Sequence, residues 1–361
     1  MTATPVHEAA EETAARDEAA PARTVSPPPS GLVHDLAFDR IGAVYVWLGI
    51  IVLFSLWAPE TFPSLATAKQ ILNSNAITAL AALAITIPLA ARVFDLSFAG
   101  VMTLTGVAVA HLIAKDGVPL IPAIALALAI GLGVGVINGV VVVVMRIDSF
   151  IGTLATGSLI AALITMVTNE VPITDAKLGG AFADIGQTNV GGVTLAVVYC
   201  AVVAVGIWYL LEHTATGRRL YATGFNPDAA RLAGVGTDRL RFASLVASAG
   251  LAGATGIVLA STLQSGSPTA GSPYLLPAFA AAFLGATQLK HGRFNAWGTI
   301  IAVLLLGTGT TGLGLANAPQ WAANMFVGVV LIASLAVTGI QRRATTGRGR
   351  LSWARLRRAT A

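Results

Sequence analysis

Five histidines, one cysteine and a thin scatter of carboxylates are the groups in this sequence best suited to bind a metal, attack a carbonyl or relay a proton. Their spacing assembles no such site. His7, His34, His111, His213 and His291 stand far apart, with no H-E-x-x-H pair and no paired cysteines of the kind a zinc centre needs. No G-x-x-x-x-G-K-[ST] loop offers a phosphate cradle, so the chain does not bind ATP in that way, and no G-x-S-x-G elbow presents a nucleophile. Cys200 lies in an apolar run; alone, it forms no disulfide within the chain and reads as a small buried hydrophobe. The expectation is a protein that is not an enzyme and uses no cofactor and no metal.

The polar residues that remain sit in apolar company. Asp95 lies at the edge of an apolar run near Arg92, where a turn or N-cap residue belongs. Asn73, Asn75 and Asn138 are uncharged groups in or beside such runs, suited to hydrogen bonds between helices and, alternatively, to contact with a polar solute. Phe150, Phe279 and Phe283 suit either a pore gate or packing and lipid contact.

A membrane must position them. Hydrophobic residues make up 55% of the 361 positions and charged residues 11%, against about 25% charged in a soluble domain; mean hydropathy is +0.77. Runs free of Asp, Glu, Lys and Arg cover 41–58, 71–91, 96–114, 118–144, 149–168, 191–211, 242–263, 274–289, 295–316 and 320–340. Most reach the roughly 20 residues that cross about 30 Å of hydrocarbon at 1.5 Å per residue. The run at 274–289, with Pro273 and Pro277 at its start, is short enough to be tilted, kinked or partly re-entrant. The expected fold is an all-α polytopic membrane protein of about ten spans in a domain at 41–341.

Residues 1–40, with seven acidic residues and Pro27-Pro28-Pro29, lack the apolar core of a signal peptide and are expected to form a disordered cytoplasmic tail. Residues 342–361 form a basic cytoplasmic tail. An even span count puts both termini on one side. With that side cytoplasmic, 19 of the 22 Lys and Arg fall inside and only Lys69, Lys115 and Lys177 outside, as the positive-inside bias requires. The net charge of +5 therefore points to a membrane and not to nucleic acid. Gly131, Gly135, Gly253, Gly256 and Gly307 are among the small residues that stripe the spans and let helices approach closely. With no charged residue inside a span, proton coupling lacks its usual carboxylates. Energy comes from outside the chain, or transport is passive.

The loop at 212–241 carries a short helix signal. Asn226 suits the N-cap, Pro227 the first helical position, Asp228 the N-terminal dipole, and Gly234 the stop after Ala229, Ala230, Arg231 and Leu232. Two turns are not stable alone, so this helix should dock on something.

At this loop the sequence resembles the permeases of ribose-, xylose- and galactoside-type ATP-binding cassette importers. In that family a G-x-N-x-x-A-A-x-x-x-G segment forms the coupling helix held in a groove of the ATPase subunit; the matching residues are Gly224, Asn226, Ala229, Ala230 and Gly234, with Asp228, Arg231 and Leu232 inside the segment. Phe94-Asp95-Leu96-Ser97 with Leu104-Thr105-Gly106, Val136-Ile137-Asn138-Gly139, Ser149-Phe150-Ile151-Gly152-Thr153-Leu154 and Ser267-Pro268-Thr269-Ala270-Gly271-Ser272-Pro273-Tyr274 resemble four further family blocks in order. The resemblance implies a type II importer architecture in the bacterial inner membrane. It implies two permease copies, identical or paired with a homologue, two ATP-binding cassette subunits, and an extracytoplasmic solute-binding protein on the loops 169–190 and 264–273. It also places Asp95, Ser97 and Tyr274 among the candidates for the translocation path, beside Asn73, Asn75, Asn138, Phe150, Phe279 and Phe283. The chain departs from the sugar permeases after Tyr274, where Leu275-Leu276-Pro277-Ala278 lacks two family carboxylates. A nucleoside, a sugar alcohol or a signalling sugar therefore stands beside a simple sugar as substrate. A passive or ion-coupled carrier, and a scaffold or receptor without transport, are the rival readings.

Overall fold

The computed structural model describes residues 38–288 and 292–332. Most of the expected N-terminal tail, the C-terminal tail, Lys290, His291 and the end of the last apolar run lie outside the described residues.

In hydrocarbon a backbone must satisfy its own polar groups, so each apolar run becomes a helix. The helices in chain order are α1 (Phe38–Trp57), α2 (Leu65–Ala90), α3 (Phe98–Ala114), α4 (Leu120–Gly139), α5 (Ser149–Thr168), α6 (Ala181–Gln187) and α7 (Leu195–His213). Then come α8 (Ala215–Phe225), α9 (Pro227–Leu232), α10 (Thr237–Leu263), α11 (Leu275–Gln288), α12 (Ala296–Leu315) and α13 (Gln320–Ile332). Six of these, α2, α4 with its extension, α5, α7, α10 and α12, are long and apolar enough to cross a membrane; α1, α3, α11 and α13 are shorter apolar helices. Together they fall on the ten apolar runs. Local chemistry sets several ends. The Ser64 side chain accepts from the Thr67 amide, so α2 starts six residues before the charge-free run at 71. Asp148 caps α5 through the Phe150 and Ile151 amides, and Asn295 caps α12 through the Gly298 amide. The exit of α4 is a π turn over Val140–Val144.

Helices α2 and α10 form the centre. α2 packs on α7, α10, α11 and α12, and α10 packs on α2, α3, α4 and α6. Over its most apolar stretch α2 is 78% buried, against 28% for α4, α5 and α7, whose outward faces are apolar and suited to lipid or a second subunit. The contact of α3 with α10 is close enough that a Cβ on Gly256 would overlap the Met102 carbonyl. Hydroxyls stitch the bundle: Thr105 Oγ1 donates to the Gly253 carbonyl at 3.0 Å, Thr86 and Thr299 meet at 3.2 Å, and Trp47 Nε1 donates to Thr308 Oγ1 at 2.8 Å.

At one end of the bundle the loops 169–190 and 264–273 meet. β1 (Ile173–Thr174) pairs antiparallel with β4 (Ser265–Gly266), and β2 (Asn189–Val190) with β3 (Val193–Thr194) forms a hairpin ahead of α7. At the other end, α8 packs against α7, α10 and the end of α2, and α9 packs on α8 and α10.

Candidate functional site

Pro88 lies in the last turn of α2, and the chain then breaks from Ala91 to Ser97 before α3, with Arg92 in the left-handed region at φ 55°. A broken backbone inside a bundle survives only if its polar groups find partners. The N-terminus of α5 supplies them: Ser149 Oγ accepts from the Phe94 amide at 3.1 Å, and Thr153 Oγ1 accepts from the Leu96 amide at 2.9 Å. Asp95 points into the protein and is fully buried. One carboxylate oxygen accepts from the Ser97 amide at 3.1 Å and the Ser97 hydroxyl at 2.7 Å; the other accepts from the Ser248 hydroxyl of α10 at 2.8 Å. Asn138 of α4 donates to Ser97 Oγ at 2.7 Å, while its own Oδ1 is buried without a protein partner. Asp95, Ser97 and Asn138 thus form one buried cluster tying the break to α4 and α10.

The aromatic candidates form a second cluster. Phe150, half exposed, stands edge-on to Phe94 at 6.4 Å between centroids; Phe94 stacks on Phe283 at 6.3 Å, Phe283 on Phe279 at 6.2 Å, and Phe279 meets the buried Phe98 edge-on at 5.8 Å. These spacings suit the ring quadrupole. The half-buried rings of α11 thereby run toward the broken segment. Tyr274, also half-buried, heads that helix in a 3₁₀ turn over Ser272–Tyr274. Asn73 and Asn75 are not part of either cluster. Asn73 sits at the opposite end of α2, donating to the Gly192 carbonyl at 3.1 Å and accepting from the Thr194 amide at 2.9 Å. Asn75 bonds within its own helix to the Ile71 carbonyl at 2.8 Å and packs where Gly307 of α12 leaves room.

The segment 224–235 divides into inner and outer faces. Asn226 Oδ1 accepts from the Ala229 amide at 3.0 Å. After Leu232 the Gly234 amide bonds the Arg231 carbonyl, the Val235 amide bonds the Ala230 carbonyl, and Gly234 takes φ 80°. Ala230 is buried by its own chain, whereas Asp228, Ala229 and Arg231 are exposed and Leu232 is 92% exposed. Ala229 and Ala230 therefore lie on different faces of the helix, Ala229 outward and Ala230 inward. Gly224 is buried, and a Cβ there would overlap the Ala90 carbonyl at the end of α2. Arg231 meets Asp238 at 3.2 Å and Asp228 at 3.8 Å.

This segment is also tied to α11 and α12. Tyr221 of α8 donates from its hydroxyl to the Phe294 carbonyl at 2.7 Å; burial, with Glu212 adding and Arg293 opposing, pushes its phenol up to about 12, so it remains a donor at neutral pH. The Arg293 guanidinium lies over the Tyr221 ring at 5.4 Å and the Phe225 ring at 5.3 Å. Phe294 meets Phe283 edge-on at 5.4 Å. A contact chain therefore runs from α8 through Phe294 to the aromatic cluster. Sequence reasoning gave no role to Phe94, Phe98, Phe294, Ser248 and Arg293, although Phe94 lay in a family block, Phe98 and Ser248 in apolar runs, and Arg293 and Phe294 just before one. Among the described residues no His, Cys, Asp or Glu group could hold a metal.

A bundle of apolar helices, with a broken backbone held inside it, a half-exposed aromatic edge and an outward helix at one end, defines a polytopic membrane protein built to pass a solute. Residues 67–335 match the family described as the branched-chain amino acid transport system / permease component, and this chain belongs to that family. The chain is 31% identical over 288 residues to the ribose import permease protein RbsC of Haemophilus influenzae, covering 79% of this chain and 88% of that one. It is 32% identical over 301 residues to RbsC of Bacillus subtilis (83% and 93%), and 30% over 310 residues to the L-arabinose transport system permease protein AraH of Escherichia coli (85% and 93%). The protein is a transporter permease subunit and not an enzyme, a multi-pass protein of the bacterial inner membrane, and it works with ATPase and solute-binding partners.

Proposed function

We propose that this chain lines the translocation path of an ATP-driven importer for a sugar or sugar-like compound. Relatives whose names specify ribose and L-arabinose support that substrate class. Two copies, or one copy and a homologue, enclose the path, with the aromatic edge of Phe150, Phe94, Phe283 and Phe279 on its wall. Ring faces suit the C–H faces of a sugar and hold it weakly, which a path needs. Both termini and the segment 215–235 face the cytoplasm. Two ATP-binding cassette subunits dock there, and the solute-binding protein docks on the opposite end, where β1 and β4 join the loops 169–190 and 264–273. ATP-driven movement of α9 passes through Tyr221, Arg293 and Phe294 to α11 and the break at 91–97, rocking the bundle between two open states.

The observation that carries this reading is Leu232, an almost fully exposed leucine on a capped two-turn helix whose opposite face is anchored. Burying a leucine in a partner is worth about 1.5–3 kcal/mol. Leu232→Ala should therefore leave abundance and thermal stability unchanged while weakening ATPase association roughly 10- to 100-fold, measured by co-purification and by uptake in vesicles. Wild-type association and uptake in that variant would remove α9 as the coupling element. Uptake without any ATPase would replace this reading with a passive carrier.

A further inference from the structure

A cavity of about 390 Å³ opens between the ends of α2 and α4, the starts of α5 and α10, and Arg231 of α9, and the transport reading above assigns no ligand to it. Four guanidiniums line it, from Arg92, Arg146, Arg231 and Arg241, against two carboxylates, Asp148 and Asp238. Both carboxylates are engaged. Asp148 caps α5, accepting from the Phe150 amide at 2.9 Å, and Asp238 lies 3.2 Å from Arg231. Among the described residues, neither Arg146 nor Arg241 forms an ion pair, and Arg241 Nε is buried without a hydrogen-bond partner. An uncompensated buried donor on a cation is costly unless an anion meets it.

The backbone around the cavity is unusual in the same sense. Arg92 and Arg146 both lie in the left-handed region, at φ 55° and 59°, where glycine or asparagine would be easier. The π turn at Val140–Val144, a geometry that often marks functional positions, forms one wall and delivers Arg146. Strain kept at two arginines facing one cavity points to a ligand. The ligand's other half is written beside it: Val144, Met145 and Ile151 are 67%, 60% and 63% exposed at the ends of two membrane helices.

We propose that this cavity binds the phosphate of an anionic phospholipid, with Arg146 and Arg241 as its ligands and Val144, Met145 and Ile151 against the acyl chains. A free phosphate would use the same arginines but gain nothing from the apolar surface. Basic pockets between spans at a membrane face commonly hold such headgroups. The site needs the membrane setting alone, so it stands whether or not α9 is the coupling element.

The test uses the purified full-length chain in detergent, with native mass spectrometry and thermal unfolding read against added phosphatidylglycerol, phosphatidylcholine and inorganic phosphate. Phosphatidylglycerol should stay bound and raise the unfolding temperature, while phosphatidylcholine and phosphate should not. Arg146→Gln and Arg241→Gln should each retain roughly tenfold less phosphatidylglycerol, as loss of a charge-assisted bond to phosphate requires. Arg218→Gln and Arg239→Gln, which remove exposed charge outside the cavity, should retain it as wild type does. Making the two cavity changes separately preserves a reading if either variant folds poorly. Equal retention of both lipids, competition by inorganic phosphate, equal loss in the control variants, or wild-type retention in either cavity variant would each overturn the assignment.

Discussion

Asp95 accepts three hydrogen bonds inside the bundle, from the Ser97 amide, the Ser97 hydroxyl and the Ser248 hydroxyl. Fully buried in this chain, Asp95 holds Ser97 and Ser248 together across the break, and we propose that this, and not contact with solute, is its work. Asp95→Ala would strand two hydroxyls and a backbone amide in a dry interior, at a cost of roughly 1–3 kcal/mol. We expect lower membrane abundance and a lower unfolding temperature. Asp95→Asn keeps the shape and one acceptor, and Ser248 can rotate to accept from the new amide. Uptake per molecule should stay near wild type; its loss in a stably folded Asn variant would return the carboxylate to the path. Tyr221 gives a residue-level test by pH. Its phenol is pushed up to about 12 in the folded protein from a usual value near 10, so the folded state holds the proton more tightly than the unfolded state does. The stability this contributes is complete below about pH 10 and is lost as pH rises through about 12. The tyrosinate absorbance of wild type minus that of Tyr221→Phe should show one group titrating near the upper value. Titration near 10 would mean that the Tyr221 phenol is not kept buried against the end of the bundle.

Among the elements, α8 and α9 depend on two glycines for different physical reasons, and substitutions separate them. Gly224 faces the Ala90 carbonyl, a backbone atom that cannot swing aside. Gly224→Ala should push α8 off the end of α2 and cost about 1–3 kcal/mol as overpacking. Gly234 has open space around its Cβ position but φ 80°, so Gly234→Asn should be nearly neutral and Gly234→Val should cost about 1–2 kcal/mol. Thermal unfolding of the three variants decides; equal stability of Gly224→Ala and wild type would contradict the close approach. The same segment shows what the sequence reveals and what it hides. The caps at Asn226 and Gly234 were legible, because capping is written within a few neighbouring residues. The ten apolar runs were legible for a similar reason, since lipid forces every such run into a helix. The inward turn of Ala230 was not legible, because Ala229 and Ala230 are the same residue type side by side and nothing in the sequence says which of them packs inward. Nor was the join of Ile173 with Gly266, for two-residue strands carry no pattern of their own. Ser248, Ser149 and Thr153 were hidden in the same way. Ser149 and Thr153 are ordinary small polar residues until the fold sets them against backbone amides 55 and 57 positions away, and Ser248 until it meets the Asp95 carboxylate 153 positions away.

For the molecule as a whole, orientation is the remaining physical question, and the fold sharpens the charge argument from the sequence. The cations assigned to one side by charge gather in space. Arg92, Arg146, Arg231 and Arg241 line one cavity, and Arg293 lies over two rings of α8. The three lysines assigned to the other side cluster with the opposite loops. Lys177 Nζ donates to the Ala114 carbonyl at 3.3 Å, next to Lys115, and the Lys69 amine lies against Gly192 in the β2–β3 hairpin. A wrong span count would scatter these two sets across both ends. On the positive-inside bias we propose that the arginine end faces the cytoplasm. In a Cys200→Ser background, a cysteine at Thr216, exposed at the start of α8, should be protected from an impermeant thiol reagent in intact cells and labelled after permeabilisation. A cysteine at Asp175, exposed beside β1, should label in intact cells. Labelling of position 216 from outside would invert the molecule. It would also set α9 on the wrong face for any ATPase, even with every contact in the fold unchanged.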